Sequence, residues 1–223
     1  MSDGPDAVFL DMDGTLIDTE GIWWDAEVEL FAELGHRLDD AWRHVVVGGP
    51  MERAVGFLLE ATGAHITLPE LMARISRRFE ERISGHLPLM PGAARLLAEL
   101  AAHQVPMALV SASSRRTIGQ VLTSLGAQHF TLTVSRDDVI RTKPHPESYL
   151  RAAAGLGVDP ARCVAIEDSA SGVAAAEAAG CPVVAVPSVA PIPPAAGRTV
   201  VRSLEEVDLL FLQGLSARRA TLT

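Results

Sequence analysis

Residues 7–19 run Ala7-Val8-Phe9-Leu10-Asp11-Met12-Asp13-Gly14-Thr15-Leu16-Ile17-Asp18-Thr19. A short apolar run ends there in Asp-x-Asp-Gly. Such a run, partly β-branched and aromatic, suits a strand buried on both faces. Residues two apart in an extended chain point the same way, so Asp11 and Asp13 share one side. Two carboxylates so placed repel each other unless a cation lies beside them. Read alone, Asp13-Gly14 is also a tight turn.

Four more runs resemble the first: Val105 to Val110, Thr131 to Val134, Cys163 to Ile166 and Pro182 to Val186. Helical patterns separate them. Ala93 to Ala102 follows Pro91-Gly92, and Thr117 to Leu125 is closed by Gly126. Glu147 to Gly155 follows Pro146, and Ala170 to Ala179 is closed by Gly180. Alternation at this spacing predicts βαβ units, hence a doubly wound, mostly parallel α/β sheet. Between residues 17 and 86 no strand is predicted. Trp23, Ala26, Leu30 and Leu34 recur at helical spacing, as do Met51, Val55 and Leu58, and Leu68, Leu71, Ile75 and Phe79. An inserted helical bundle of about four helices follows. The expected division is an α/β domain of residues 1–16 and 87–223 around a helical domain of residues 17–86. The Pro- and Ala-rich segment from Pro187 to Gly197 is expected to be an irregular loop without chemistry.

The 48% hydrophobic content of 223 residues supplies a sizeable core, and 21% charged residues argue against disorder. The net charge of −9 makes nucleic acid and anionic membranes poor partners. No apolar run approaches the roughly 20 residues that span a bilayer. The two cysteines, Cys163 and Cys181, read as buried thiols. The expectation is a cytoplasmic protein, monomer or weak dimer.

The other strand ends repeat the polar theme. Ser111-Ala112-Ser113-Ser114 offers hydroxyls and N–H groups to an anion at a helix start, although Ser111 alone is also an N-cap. Lys143 stands in Lys143-Pro144-His145-Pro146, where it can present its ammonium to a phosphoryl group. Cys163 to Ile166 ends in Glu167-Asp168-Ser169. Oxygen ligands from this tip and from Asp11 suit Mg²⁺. Acids at a helix N-terminus are the plainer alternative.

Taken together, Asp11-Met12-Asp13-Gly14-Thr15, Ser111, Lys143 and Glu167-Asp168 match in order the four motifs of the haloacid dehalogenase superfamily. The resemblance covers essentially the whole chain, and in that family a helical insertion here is a cap domain. It implies that Asp11 is the nucleophile and Asp13 the general acid and base. The dehalogenase branch lacks the second Asp, so Asp13 points to phosphoryl chemistry. Ser111 and Lys143 would bind phosphoryl oxygens. Mg²⁺ would be held by Asp11, the Asp13 carbonyl and Asp168, with Glu167 nearby through water. Ala112, Ser113, Trp23 and Gly48 are the expected substrate contacts.

The chain looks closest to sugar-phosphate phosphatases and to β-phosphoglucomutase. The mutase pattern places His at Trp23, Arg at Met51 and a cap Lys near Ile75, so hydrolysis is favoured. Arg74, Arg77 and Arg78 could compensate, but a solvated helix face is preferred. The phosphonatase branch needs a cap lysine, and residues 17–86 contain none. A phosphometabolite-binding protein without activity would be expected to lack Asp11, Asp13 or Lys143. The expected substrate is a small phosphorylated metabolite.

Overall fold

The computed structural model describes residues 4–39, 41–43, 51–83, 87–188 and 190–220. The chain divides into two compact units, Met1–Asp18 with Leu87–Thr223, and Thr19–His86. The first unit carries six parallel strands: β1 Val8–Leu10, β2 Met107–Val110, β3 Leu132–Val134, β4 Val164–Glu167, β5 Val183–Ala185 and β6 Arg198–Val200. Their order is β3-β2-β1-β4-β5-β6. The winding direction reverses between β1 and β4, where Leu10 lies opposite Ile166. Open α/β sheets place their ligands beyond the strand ends at such a switch point. Strands β1, β2, β4 and β5 are buried throughout, which explains their unbroken apolar runs.

Sequence patterning misses two elements. Strand β6 is a half-buried edge strand of only three residues, and an Arg and a Thr dilute its apolar signal. The closing helix Leu209–Ala220 follows a 3₁₀ turn at Leu204–Glu206, which Arg95 holds through the carbonyls of Leu204 and Val207 at 3.0 and 2.7 Å. Helices with both bounds among the described residues are α1 Glu20–Glu33, α2 Met51–Thr62, α3 Leu68–Arg82, α4 Ala93–Ala102, α5 Arg115–Leu125, α6 Glu147–Leu156 and α7 Ala170–Ala178; the closing helix is α8. Alanines 152, 153, 175 and 176 let α6 and α7 lie close on the sheet against Phe9, Val110 and Ala165.

In the second unit α1, α2 and α3 bury Trp24, Leu30, Phe31, Val55, Leu58, Leu71 and Ile75 in one cluster. Helix α3 is capped by Thr67, whose hydroxyl accepts the Glu70 N–H at 3.4 Å. Arg74 pairs with Glu33 of α1 at 3.0 Å, and Arg78 pairs with the same carboxylate. The two ends of this unit leave the first unit side by side. The Asp18 N–H donates to the Pro88 carbonyl at 3.0 Å, and the Met90 N–H donates to Leu16 at 2.9 Å.

Glu27 is buried on α1, and burial pushes its carboxyl up from 4.5 to about 7. Below pH 4.5 it is neutral in both the folded and unfolded states. Between there and about 7 the unfolded chain releases a proton that the folded chain keeps, so stability falls as pH rises. The expected loss is about 3 kcal/mol, complete above about pH 7. Denaturant unfolding of wild type and Glu27→Gln across this range checks it: the stability of the wild type relative to the variant should fall by about 3 kcal/mol from the low end to the high end.

Candidate active site

The carboxyl ends of β1, β2 and β4, with Lys143 from the segment after β3, bring seven sequence-predicted residues together: Asp11, Asp13, Ser111, Ser113, Lys143, Glu167 and Asp168. Lys143 is buried, and its ammonium donates to Asp11 Oδ1 at 2.6 Å, Glu167 Oε1 at 2.6 Å and the Val110 carbonyl at 2.8 Å. Burial alone would lower its pKa, but the charges of Asp11 and Glu167 outweigh this and hold it above the usual lysine value. The other Asp11 oxygen accepts the Thr15 hydroxyl at 3.0 Å.

Asp13 faces the serines beyond β2. Its Oδ2 accepts Ser113 Oγ at 2.8 Å and Ser111 Oγ at 3.3 Å, and the Ser113 N–H donates back to Ser111 Oγ at 2.9 Å. Ala112 between them is exposed. The cap of α5 is Ser114, which accepts the Thr117 N–H at 3.1 Å. The N-cap alternative for Ser111 is thereby corrected: the capping oxygen lies three residues further on, and Ser111 is left for the site.

The helix-terminus alternative for Glu167-Asp168 is corrected in the same way. Glu167 ends β4, fully buried, while Ser169 caps α7 by accepting the Gly172 N–H at 3.1 Å. Burial and the charge of Asp11 push the Glu167 carboxyl upward, against the pull of Lys143. Burial, Asp11 and Glu167 push Asp168 higher still. Oxygens of Asp11, Glu167 and Asp168 lie within 4.8 Å of one another. Three hard oxygen donors this close together fit a divalent cation. Two glycines keep this corner open: a Cβ on Gly14, whose φ is +79°, would come 2.2 Å from Asp168 Oδ2, and one on Gly172 would come 2.0 Å from the Glu167 carboxylate.

Three participants escape sequence reasoning. Ser188 donates to Asp168 Oδ2 at 2.5 Å, so the Pro-rich loop contributes to the site after all. Tyr149 donates to Glu167 Oε1 at 2.5 Å. Thr15 lies inside the first motif, and its hydroxyl bond to Asp11 has no signal in the spacing. Ser188 has no sequence signal, whereas Tyr149 is the chain's only tyrosine and stands six residues after Lys143.

In the helical unit, Trp24 is buried in the apolar cluster, and Trp23 stacks on Phe79 with ring centroids 3.6 Å apart. Ile75 is fully buried there. Gly48 lies outside the described residues, as does the side chain of Met51. Among the described residues no helix is long and apolar enough to cross a membrane.

A family model described as haloacid dehalogenase-like hydrolase matches residues 5–180. The chain is 32% identical over 188 residues to hexitol phosphatase B of Escherichia coli K12, covering 82% of this chain and 83% of that protein. It is 35% identical over 183 residues to the bifunctional riboflavin kinase/FMN phosphatase of Arabidopsis thaliana, covering 81% of this chain and 48% of that protein. The chain thus spans about half the length of that relative. Among solved structures, a variant of CbbY from Rhodobacter sphaeroides in complex with xylulose-(1,5)bisphosphate superposes with a TM-score of 0.77 at 26% identity, covering 93% of this chain and 99% of that one.

Proposed function

Because the chain belongs to the haloacid dehalogenase-like hydrolases and is a phosphatase of that family, we propose that it hydrolyses a small phosphorylated metabolite, a sugar phosphate, with Mg²⁺ and through an aspartyl-phosphate on Asp11. The observation that carries this reading is the Lys143 ammonium held between Asp11 and Glu167, with Asp13 and its serines at the neighbouring strand end.

One Asp11 oxygen attacks phosphorus, and the bond from phosphorus to the substrate oxygen breaks. Asp13 gives its proton to the departing alkoxide. A water then bonds to phosphorus while losing a proton to Asp13. The Asp11–phosphorus bond breaks, inorganic phosphate leaves, and both carboxyl groups return to their starting states. Ser111 and Lys143 hold phosphoryl oxygens, and Thr15 steadies Asp11. Mg²⁺ held by Asp11, Asp168 and the Asp13 carbonyl, with Glu167 near it, would supply positive charge against the phosphoryl group. Ala112, Ser113, Trp23 and Gly48 are assigned to substrate contacts in this reading. The two free buried thiols suit a reducing cytoplasm.

Phosphate release from a panel of sugar phosphates, with Mg²⁺ and with chelator, tests it. Release that chelator abolishes is expected. No release from any member, together with isomerisation of β-glucose 1-phosphate in the presence of a bisphosphate primer, would replace hydrolysis by mutase chemistry.

A further inference from the structure

We infer that Tyr149 is a positioning residue for Lys143, acting through Glu167; the inference rests on the reading of Lys143 as the lysine of the phosphoryl site. Tyr149 is the chain's only tyrosine and Lys143 its only lysine, and the fold brings both to one buried carboxylate.

An ammonium has three N–H donors. Here they go to Asp11 Oδ1, Glu167 Oε1 and the Val110 carbonyl. Val110 ends a central strand, and Asp11 is steadied by Thr15. The setting of the third acceptor therefore determines where the ammonium rests. Glu167 Oε1 takes both Lys143 and Tyr149 Oη, while Oε2 takes Ser169 Oγ at 3.3 Å. Gly172 approaches the same carboxylate so closely that a Cβ there would collide with it.

The tyrosine ring is itself fully buried, tilted against Phe9, with the ammonium 5.3 Å from its centroid. A phenylalanine would supply that ring and that packing. What the hydroxyl adds is one charge-assisted hydrogen bond to Glu167, since burying it unbonded would be unfavourable. That bond draws electron density from the oxygen that also holds Lys143. Without it, Glu167 binds the ammonium more closely and turns it away from Asp11.

The test is Tyr149→Phe in protein labelled with ¹⁵N only at lysine, which gives a single side-chain ammonium signal. The expected result is a displaced ammonium signal in the absence of substrate. With it should come a fall of about tenfold in kcat, with KM within about twofold of wild type. An ammonium signal that stays in place overturns the inference, whatever the rate or the melting temperature does. This measurement uses no substrate. Wild-type inactivity across the sugar phosphates would therefore overturn the phosphatase reading without deciding this one.

Discussion

Asp11→Asn will release no phosphate from any substrate that the wild type hydrolyses, a loss on the order of 10⁴-fold or more. The amide keeps the shape of the carboxylate but not its nucleophilic oxygen. The fold should survive the change. Asp11 contributes to raising the carboxyl groups of both Glu167 and Asp168, so removing its charge relieves a crowded set of acids. The pair of measurements is phosphate release under single-turnover conditions and a thermal melt. A folded, inactive variant is expected. Activity within about tenfold of wild type would move the nucleophile elsewhere.

Lys143→Met is the second large effect, and it strikes stability as well as rate. The ammonium is buried, and its removal leaves Asp11 and Glu167 facing each other with no countercharge. Breaking a buried pair on one side costs about 3–5 kcal/mol, mostly through the charge left behind. A drop of that size in denaturant unfolding is expected, together with loss of at least about 10³-fold in kcat from the missing positive charge. Lys143→Met combined with Glu167→Gln separates the two effects. The double variant should recover most of the stability and none of the rate. Recovery of rate would show that Lys143 serves the fold alone.

Much of the sheet was legible because its central strands are buried on both faces. Val8–Leu10, Met107–Val110 and Val164–Glu167 need no polar alternation, so each appears as an unbroken apolar run. Their ends were legible only as a set: singly each acid or hydroxyl also reads as a turn or a cap, but in order they match the motifs of one family. Strand β6 was not legible: an edge strand of Arg198-Thr199-Val200 satisfies half its backbone in the sheet and carries no hydrophobic pattern. Ser111 and Ser114 could not be ranked as caps from sequence, because either hydroxyl can reach back to a helix N–H. Only the register of α5 decides between them. Tyr149 and Ser188 reach the site through folding, from a helix and a loop whose local sequences point to no carboxylate.

The paired exits at Asp18–Pro88 and Leu16–Met90 bear on how such a chain can change over evolutionary time. Residues 19 to 86 leave and re-enter the sheet domain through neighbouring hydrogen-bonded segments. In topological terms they form a pendant whose root is already closed. Lengthening, shortening or exchanging a loop whose ends are pinned alters closure entropy only slowly. It also leaves the register of all six strands untouched. Selection can therefore rework the helical unit while the carboxylates, the lysine and the serines stay where the sheet holds them. The sheet domain and the helical unit become separately heritable parts of one polypeptide.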